Sequence, residues 1–266
     1  MTKEGLAQEQ GVLLHLACDE ALARERAMLA AAVDEIIDCP GDSPGDGGPG
    51  LRWMLWRTDA CIVVPRSHAN RPAFAAASAA SAVRGWPVHL RETGGGAVAQ
   101  GPGVVNLSMV FSIGAGLRDR IGASYRLLCQ PVMAMLRRRG IDGAYRAIAG
   151  TMCDGAYNVV VGDRKLAGTA QRWRGLGRDR PGAHAVLAHL ALFASLDLGE
   201  AAAAINALYA DMGIEAGVEA SSHINWAEID GSIDEPAAAM ARELDDACRA
   251  LGLDGLLEPG VGPRQA

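Results

Sequence analysis

Lysine is almost absent from this sequence. Among its 25 basic residues only Lys3 and Lys165 are lysines, and the others are arginines. Lysine carries a compact ammonium on a flexible stem, whereas arginine offers a planar guanidinium of fixed geometry. A lone interior lysine in an arginine-rich chain therefore indicates either a position that needs the compact donor or an ordinary lysine on a solvated turn.

The sequence also lacks the features of proteins that bind nucleic acids, cross membranes or are secreted. Its formal net charge is −6 and its pI is near 5.5, which argues against nucleic acid or an anionic membrane surface as a partner. No uninterrupted apolar span is long enough to cross a bilayer, and the N-terminal stretch "MTKEGLAQEQ" has no apolar signal core. We expect a cytoplasmic protein.

The sequence also lacks closely spaced cysteines. The six cysteines, at positions 18, 39, 61, 129, 153 and 248, include no C-x-x-C pair, and the six histidines are equally dispersed. This spacing is typical of a protein in a reducing compartment and gives no sign of a disulfide framework or a structural zinc site. The sequence therefore predicts no metal site, and it predicts packing roles for His184 and His189, which lie in an apolar stretch.

The apolar patterning of the chain predicts a mixed α and β protein. With 266 residues, half of them hydrophobic, the chain can bury a large core as one domain or as a domain with a small appendage. Segment 41–50 is rich in Gly, Pro and Asp, which predicts a mobile loop. The predicted helices are 16–38, 71–84, 121–139, 199–212 and 235–251, and the predicted strands are 51–57, 61–65, 88–92, 104–113 and 185–194.

A hairpin surrounds the interior lysine. A Gly-Asp pair separates two β-rich runs, "YNVVV" and "RKLAGTA", which predicts a two-residue turn with Val160 paired to Lys165. Strict alternation along the second strand would place Lys165, Ala167 and Thr169 on one face. Asn158 and Val160 on the first strand would share that face. We therefore expect Lys165 to stand above a floor of small residues that leaves room for a ligand.

The segment "RETGGGAVAQ", residues 91–100, carries three consecutive glycines after a predicted strand. Because glycine has no Cβ atom, such a loop lets a ligand approach the backbone closely and leaves amide N–H groups free to face an oxygen atom. By itself a glycine-rich loop is most often a turn, so its meaning depends on the motifs around it.

Four segments, taken in order, supply that context. They are "LACDEAL" in the first helix, "LWRTDACIVV" in the first strands, "RETGGGAV" followed by "GVVNLSMVF", and "GDRKLAGTAQRW" at the hairpin. Over about residues 13–195 the sequence resembles the biotin/lipoate protein ligase and octanoyltransferase superfamily. The resemblance implies an α/β (α+β) fold of mixed β-sheets flanked by helices, in one catalytic domain over residues 1–266 with a helical C-terminal part from about residue 199. It also implies that the glycine loop and the hairpin line a tunnel for a fatty-acyl or lipoyl chain.

Two branches of this superfamily differ near the hairpin. ATP-dependent lipoate ligases usually carry Arg-Asn-Asp before it and His-Asp after the glycine loop, where this sequence has Ala156-Tyr157-Asn158 and Gln100-Gly101. The octanoyl-transferring amidotransferases carry a cysteine followed by Pro-Gly, an aromatic residue and an acid. The run from Cys153 to Asn158 resembles that pattern, although Asp154 stands in place of the proline and Asn158 in place of the acid.

The resemblance implies that Cys153 is a nucleophile that forms an acyl-thioester, and that the ammonium of Lys165 bonds the acyl carbonyl oxygen. A thiolate is a strong nucleophile toward a thioester or an activated amide, and one well-placed donor stabilises a developing oxyanion by about 3 kcal/mol. From composition alone Cys153 would instead be a buried apolar thiol, as we expect of the other five cysteines. The resemblance assigns substrate binding to Arg91, Thr93, Gly94, Gly95, Gly96, Asn158, Ala167, Gly168 and Thr169.

Three functions are open at this point. In the first, the protein moves an octanoyl or lipoyl group from an acylated carrier onto a lysine of a lipoyl-domain protein, such as the glycine-cleavage H protein or a 2-oxo-acid dehydrogenase subunit, without a cofactor. In the second, it is a lipoate-protein ligase that makes lipoyl-adenylate with ATP and magnesium. In the third, it is a non-catalytic homologue that binds a lipoyl domain or an acyl chain, and the presence of both Cys153 and Lys165 argues against this.

Overall fold

The computed structural model describes residues 13–38, 51–178, 181–231 and 235–251, which form two β-sheets and six α-helices. The strands are β1 (Leu14–His15), β2 (Arg52–Arg57), β3 (Cys61–Pro65), β4 (Val88–Arg91), β5 (Val98–Gln100), β6 (Val104–Ile113), β7 (Gly143–Tyr145), β8 (Val159–Val161), β9 (Arg164–Gly175) and β10 (His184–Phe193). The helices are α1 (Cys18–Asp38), α2 (Phe74–Val83), α3 (Arg120–Arg138), α4 (Leu198–Asp211), α5 (Trp226–Asp230) and α6 (Pro236–Arg249).

These bounds confirm the predicted helices and strands to within a few residues. The sequence prediction lacks β1, β5, β7 and α5, which are only two to five residues long and too short to show a periodic pattern. The glycine-rich segment 91–100 is therefore not all loop, since its last three residues form β5. The predicted mobile loop at 41–50 lies outside the described residues.

The two sheets differ in size and in strand direction. The larger sheet has the order β1-β2-β6-β10-β9-β8-β7, and its pairs are antiparallel except for β1 with β2. The smaller sheet has the order β4-β3-β5, with β3 parallel to β4 and antiparallel to β5. The chain passes from β2 in one sheet to β3 in the other through three residues, 58–60. The structure confirms the predicted mixed sheets flanked by helices.

The cores follow from strands that are buried on both faces. Nearly every residue of β6 and most residues of β10 are buried, because α3 and α6 cover one face of the larger sheet and α1 packs on the other. A second core joins the smaller sheet to α2 and α4. None of the described helices is both long enough and apolar enough to cross a membrane.

Side-chain caps fix where two of these helices begin. Asp119 accepts a hydrogen bond from the amide of Gly122 at the start of α3, at 3.0 Å. Asp197 accepts one from the amide of Glu200 at the start of α4, at 2.9 Å. Each cap satisfies an amide that has no partner within the helix. The second cap orients α4, which packs against the glycine loop.

Candidate active site

A β-bulge in the hairpin positions Lys165. The structure confirms that Val160 pairs with Lys165 across the turn, but the next pair joins Val159 to Ala167, so that Leu166 is an additional residue in β9. An additional residue of this kind bends the strand and shifts the alternation of its side chains by one position. Beyond Leu166, the residues that face the cavity are therefore not those that strict alternation predicts.

Because of the bulge, the predicted floor beneath the lysine is wrong at Ala167. Ala167 pairs with Leu192 and packs with it in the core of the larger sheet, on the face away from the cavity. Gly168 is the small residue beneath the ammonium, since a Cβ atom there would lie 3.0 Å from both Cε and Nζ of Lys165. Thr169 borders the cavity, and its hydroxyl donates to a backbone carbonyl oxygen at 3.1 Å.

Lys165 is almost completely buried, with 1% of its surface exposed. Its Nζ donates to the carbonyl oxygens of Met152, at 2.5 Å, and Cys153, at 3.0 Å. An ammonium has three N–H donors, so one donor remains for a group in the cavity. Burial lowers the pKa of Lys165 to about 8, which leaves the ammonium mostly protonated at neutral pH.

Cys153 differs from the other cysteines in exposure and in backbone conformation. It is partly exposed, whereas the four other cysteines in the described part of the chain are buried as expected. Its φ is +47°, a left-handed conformation that is uncommon for residues other than glycine and that often occurs at functional sites. The amide nitrogen of Gly96 lies 3.3 Å from its Sγ, and a guanidinium nitrogen of Arg91 lies 3.5 Å from it.

The closeness of Cys153 requires glycine at position 95, and position 96 is also tightly packed. Gly95 has a φ of +102°, and a Cβ atom there would lie 2.3 Å from the cysteine Sγ. A Cβ atom at Gly96 would lie 3.1 Å from the hydroxyl of Tyr209 and 3.4 Å from the cysteine Cα. Gly94 has open space around its Cβ position. The glycine loop therefore approaches the protein's own cysteine.

Arg91 holds this loop in place. The buried guanidinium donates to the carbonyl oxygens of Val63 at 2.9 Å, Gly94 at 2.8 Å and Gly96 at 2.7 Å. These bonds tie the loop to the neighbouring strand β3. Arg91 also borders the cavity, so it positions the loop and contributes to the wall beside Cys153.

The turn that presents Cys153 is closed by Asp154 and Asn158, the two residues that depart from the family pattern. The Asn158 side-chain amide donates to Oδ1 of Asp154 at 2.8 Å. The same oxygen accepts from the amides of Ile148 and Gly155, each at 2.8 Å. Asn158 is buried and is not part of the cavity wall. The two departures thus form one hydrogen-bonded unit that shapes the turn.

Thr93 is also buried and acts through a neighbour. Its hydroxyl oxygen lies 3.0 Å from Nε2 of His189, which borders the cavity. Nδ1 of the same ring lies 3.0 Å from the Glu25 carboxylate, which also accepts from the hydroxyl of Ser108 at 2.5 Å. Both ring nitrogens of His189 therefore have partners, as expected of a histidine with a packing role.

Two residues of the site, Tyr209 on α4 and His223, are not predicted from the sequence. The Tyr209 hydroxyl accepts from the amide of Ala97 in the glycine loop at 2.8 Å. The ring of His223 accepts from the Met152 amide at 3.0 Å and donates to the carbonyl oxygen of Glu219 at 2.9 Å. Burial lowers the pKa of His223 to about 4, so the ring is neutral. Both residues lie beyond the recognised motifs, and no pattern in the sequence marks them.

A largely apolar cavity lies between the two sheets, and Cys153 and Lys165 both border it. Its wall consists of Leu22, Trp56, Val63, Arg91, Val98, Gln100, Asn106, Met152, Cys153, Lys165, Gly168, Thr169, Ala170, His189, Leu190, Ala191 and Phe193. The apolar side chains suit a hydrocarbon chain. The thiol and the ammonium suit the carbonyl group at the end of such a chain.

Comparison with known proteins shows which family this chain matches. The family model described as the lipoyl protein ligase A/B catalytic domain matches residues 15–226. A protein of Cupriavidus necator, described as uncharacterized, is 36% identical over 201 residues, which are 73% of this chain and 77% of that protein. An octanoyl-[GcvH]:protein N-octanoyltransferase of Kyrpidia tusciae is 37% identical over 196 residues, but the match spans only 62% of that enzyme and 72% of this chain.

The fold also has a relative among solved structures. The crystal structure of lipoate-protein ligase A bound with ATP superimposes with a TM-score of 0.55 at 20% sequence identity, covering 89% of this chain and 84% of the other. At that identity the likeness establishes the fold alone. Together with the family match over most of the described residues, these findings confirm the resemblance, and the chain belongs to the lipoyl protein ligase A/B catalytic-domain family.

Proposed function

We propose that this protein transfers an octanoyl or lipoyl group to a lysine of a lipoyl-domain protein through a thioester on Cys153. The observation that carries the proposal is that Cys153 and Lys165 both line the apolar cavity. The Cys153 sulfur accepts from the Gly96 amide, and the Lys165 ammonium donates to the Cys153 carbonyl oxygen. Reactive cysteines typically lie in partly exposed, electropositive surroundings. The activity in the name of the Kyrpidia tusciae relative supports the same reaction.

In the first step, Cys153 Sγ attacks the carbonyl carbon of the acyl donor. A C–S bond forms while the carbonyl bond to the donor's lysine nitrogen, or to a carrier sulfur, breaks. The thiol proton passes to the leaving group. The remaining N–H of Lys165 would bond the developing oxyanion, for which one well-placed donor contributes about 3 kcal/mol.

In the second step, the amine of the acceptor lysine attacks the thioester. An amide C–N bond forms and Cys153 Sγ leaves, while the amine gives up a proton that restores the thiol. Neither step changes an oxidation state, and the overall transfer exchanges an amide or thioester bond of the donor for an amide bond of the acceptor, so it needs no further source of energy. The proposed reaction therefore uses no ATP, no magnesium and no other cofactor.

The partners follow from this chemistry. The donor is an octanoylated or lipoylated carrier, and the acceptors are lipoyl-domain proteins such as the glycine-cleavage H protein and 2-oxo-acid dehydrogenase subunits. The nucleophile must be a free thiol, which fits a reducing compartment such as the cytoplasm.

An ATP-free transfer assay tests this proposal. The protein is incubated with an octanoylated H protein and an apo lipoyl domain, with and without ATP, and the mass of the acceptor is followed. We expect equal transfer in both buffers and no thermal stabilisation by ATP. Transfer that requires ATP and free lipoate and releases pyrophosphate would make the protein a ligase. Binding of the acceptor without transfer in either buffer would make it a non-catalytic homologue.

A further inference from the structure

A cluster of cysteine and histidine side chains lies behind the apolar wall of the cavity. Cys18 begins α1, Cys61 begins β3 and His89 lies on β4. A ligand atom from each of the three residues lies within 4.8 Å of the other two. These residues come from three separate segments, so a search for closely spaced cysteines and histidines does not find them. The prediction of no metal site was based only on the spacing of cysteines and histidines along the sequence.

We propose that Cys18, Cys61 and His89 bind one zinc ion. Cysteine sulfur and histidine nitrogen are the usual protein ligands of zinc, and sites with three protein ligands keep a fourth position for water. On binding, both thiols release their protons to solvent, so that two thiolates balance the charge of the ion. Cys18 is the first residue of α1, where the helix dipole favours negative charge.

The surroundings of the histidine support this assignment. Nδ1 of His89 lies 2.8 Å from a carboxylate oxygen of Asp19, which leaves Nε2 for the ion. A carboxylate that holds the second ring nitrogen of a zinc-bound histidine is a common feature of zinc sites. The side chains of His89 and Asp19 are 21% and 81% exposed, so the cluster has a side open to water. Both cysteines are buried, and they belong to the same apolar cluster.

The position of the cluster suggests what the ion does. Cys18 and Cys61 pack with Leu22 and Val63, and these two apolar residues also line the cavity. An ion held here would fasten α1 to the smaller sheet directly behind the cavity wall. The site does not depend on the proposed acyl transfer.

Cobalt titration of the reduced protein tests the site, since tetrahedral cobalt bound by thiolates has intense charge-transfer bands. We expect one equivalent of Co²⁺ to produce these bands and Zn²⁺ to displace it, with a melting temperature that rises with zinc concentration. Cys61→Ser and His89→Asn should each lower the affinity at least tenfold. Asp19→Asn should lower it by about 10- to 100-fold, because it removes the group that orients the histidine.

Matched controls separate this site from other thiols and imidazoles. Cys153→Ser removes the partly exposed thiol, and His184→Asn removes a histidine of β10, so neither change should alter cobalt binding. His89→Asn changes a partly exposed residue, so it remains informative if Cys61→Ser fails to fold. Absence of the bands in the reduced wild type, bands that survive both ligand substitutions, or a Cys18–Cys61 disulfide in the freshly isolated protein would overturn the proposal.

Discussion

The sulfur of Cys153 lies 3.3 Å from the amide nitrogen of Gly96, and this approach depends on the glycine that precedes it. At Gly95 a side chain would be strained by the φ of +102° and would also overlap the sulfur. The left-handed backbone of Cys153 itself is held by the turn around Asp154. Single residues therefore set the position of the Cys153 sulfur.

Gly95→Ala should slow acylation of Cys153 at least tenfold and lower the free energy of unfolding by about 1–3 kcal/mol, because of backbone strain and overlap with the sulfur. Gly94→Ala is the matched control, since its Cβ would meet no atom within 4 Å. The measurements are single-turnover acylation followed by mass spectrometry and unfolding in urea. Equal behaviour of the two variants would mean that the loop moves away from Cys153 at no cost.

Lys165→Arg should lose activity by about 100-fold, the usual effect of removing one oxyanion donor, while the protein remains folded. The space next to Gly168 is filled by the Cε and Nζ atoms, so a guanidinium cannot occupy it in the same way. Arg164→Lys is the control, because the neighbouring Arg164 pairs with Glu228 at the surface, at 2.8 Å. Steady-state transfer rates of the two variants check this. Unaltered turnover of Lys165→Arg would make Lys165 a structural cation.

At the scale of elements, the hairpin shows which structural features a local sequence pattern can predict and which it cannot. The Gly-Asp turn and the pairing of Val160 with Lys165 follow from local turn chemistry, and the structure confirms them. The bulge at Leu166 does not, since an apolar residue at this position fits either register and only packing in the core selects one. Alternation therefore assigned Ala167 to the cavity face, whereas Gly168 lies there.

The segment around His223 joins β9 to the turn that carries Cys153. The amide of Ile224 donates to the Lys165 carbonyl oxygen at 2.9 Å, and the neutral ring of His223 accepts from the Met152 amide. This contact joins two segments about 70 residues apart, so no local pattern could predict it. The neutral ring of His223 therefore helps to hold the turn that carries Cys153.

This contact predicts a loss of stability in acid. Because folding lowers the pKa of His223 from its usual 6.5 to about 4, the unfolded chain binds more protons between these pH values. The contribution of His223 is therefore complete above pH 6.5 and is lost as the pH falls toward 4, by about 2 to 3 kcal/mol. Urea unfolding at pH 7 and pH 4.5 should show a smaller loss for His223→Gln than for the wild type. Equal losses would contradict a buried neutral ring.

At the scale of the whole molecule, the site is assembled from both sheets and from α4. The sequence motifs located Cys153, Lys165 and the glycine loop, because each is a contiguous pattern with a chemical purpose. They could not locate Tyr209 or His223, because these residues contribute through tertiary contacts with segments that are distant in sequence. The cluster of Cys18, Cys61 and His89 was hidden for the same reason.

The central claim is that the acyl group passes through Cys153, and the mass of the protein after incubation with an octanoylated donor in ATP-free buffer tests it most directly. We predict one octanoyl adduct on the peptide that contains Cys153, released by hydroxylamine and absent from Cys153→Ser. The adduct should survive replacement of any other cysteine, and the serine variant should remain folded but fail to transfer, because serine is nearly isosteric but a far poorer nucleophile. Transfer by Cys153→Ser at the wild-type rate would contradict the claim and reduce Cys153 to a small residue beside the cavity.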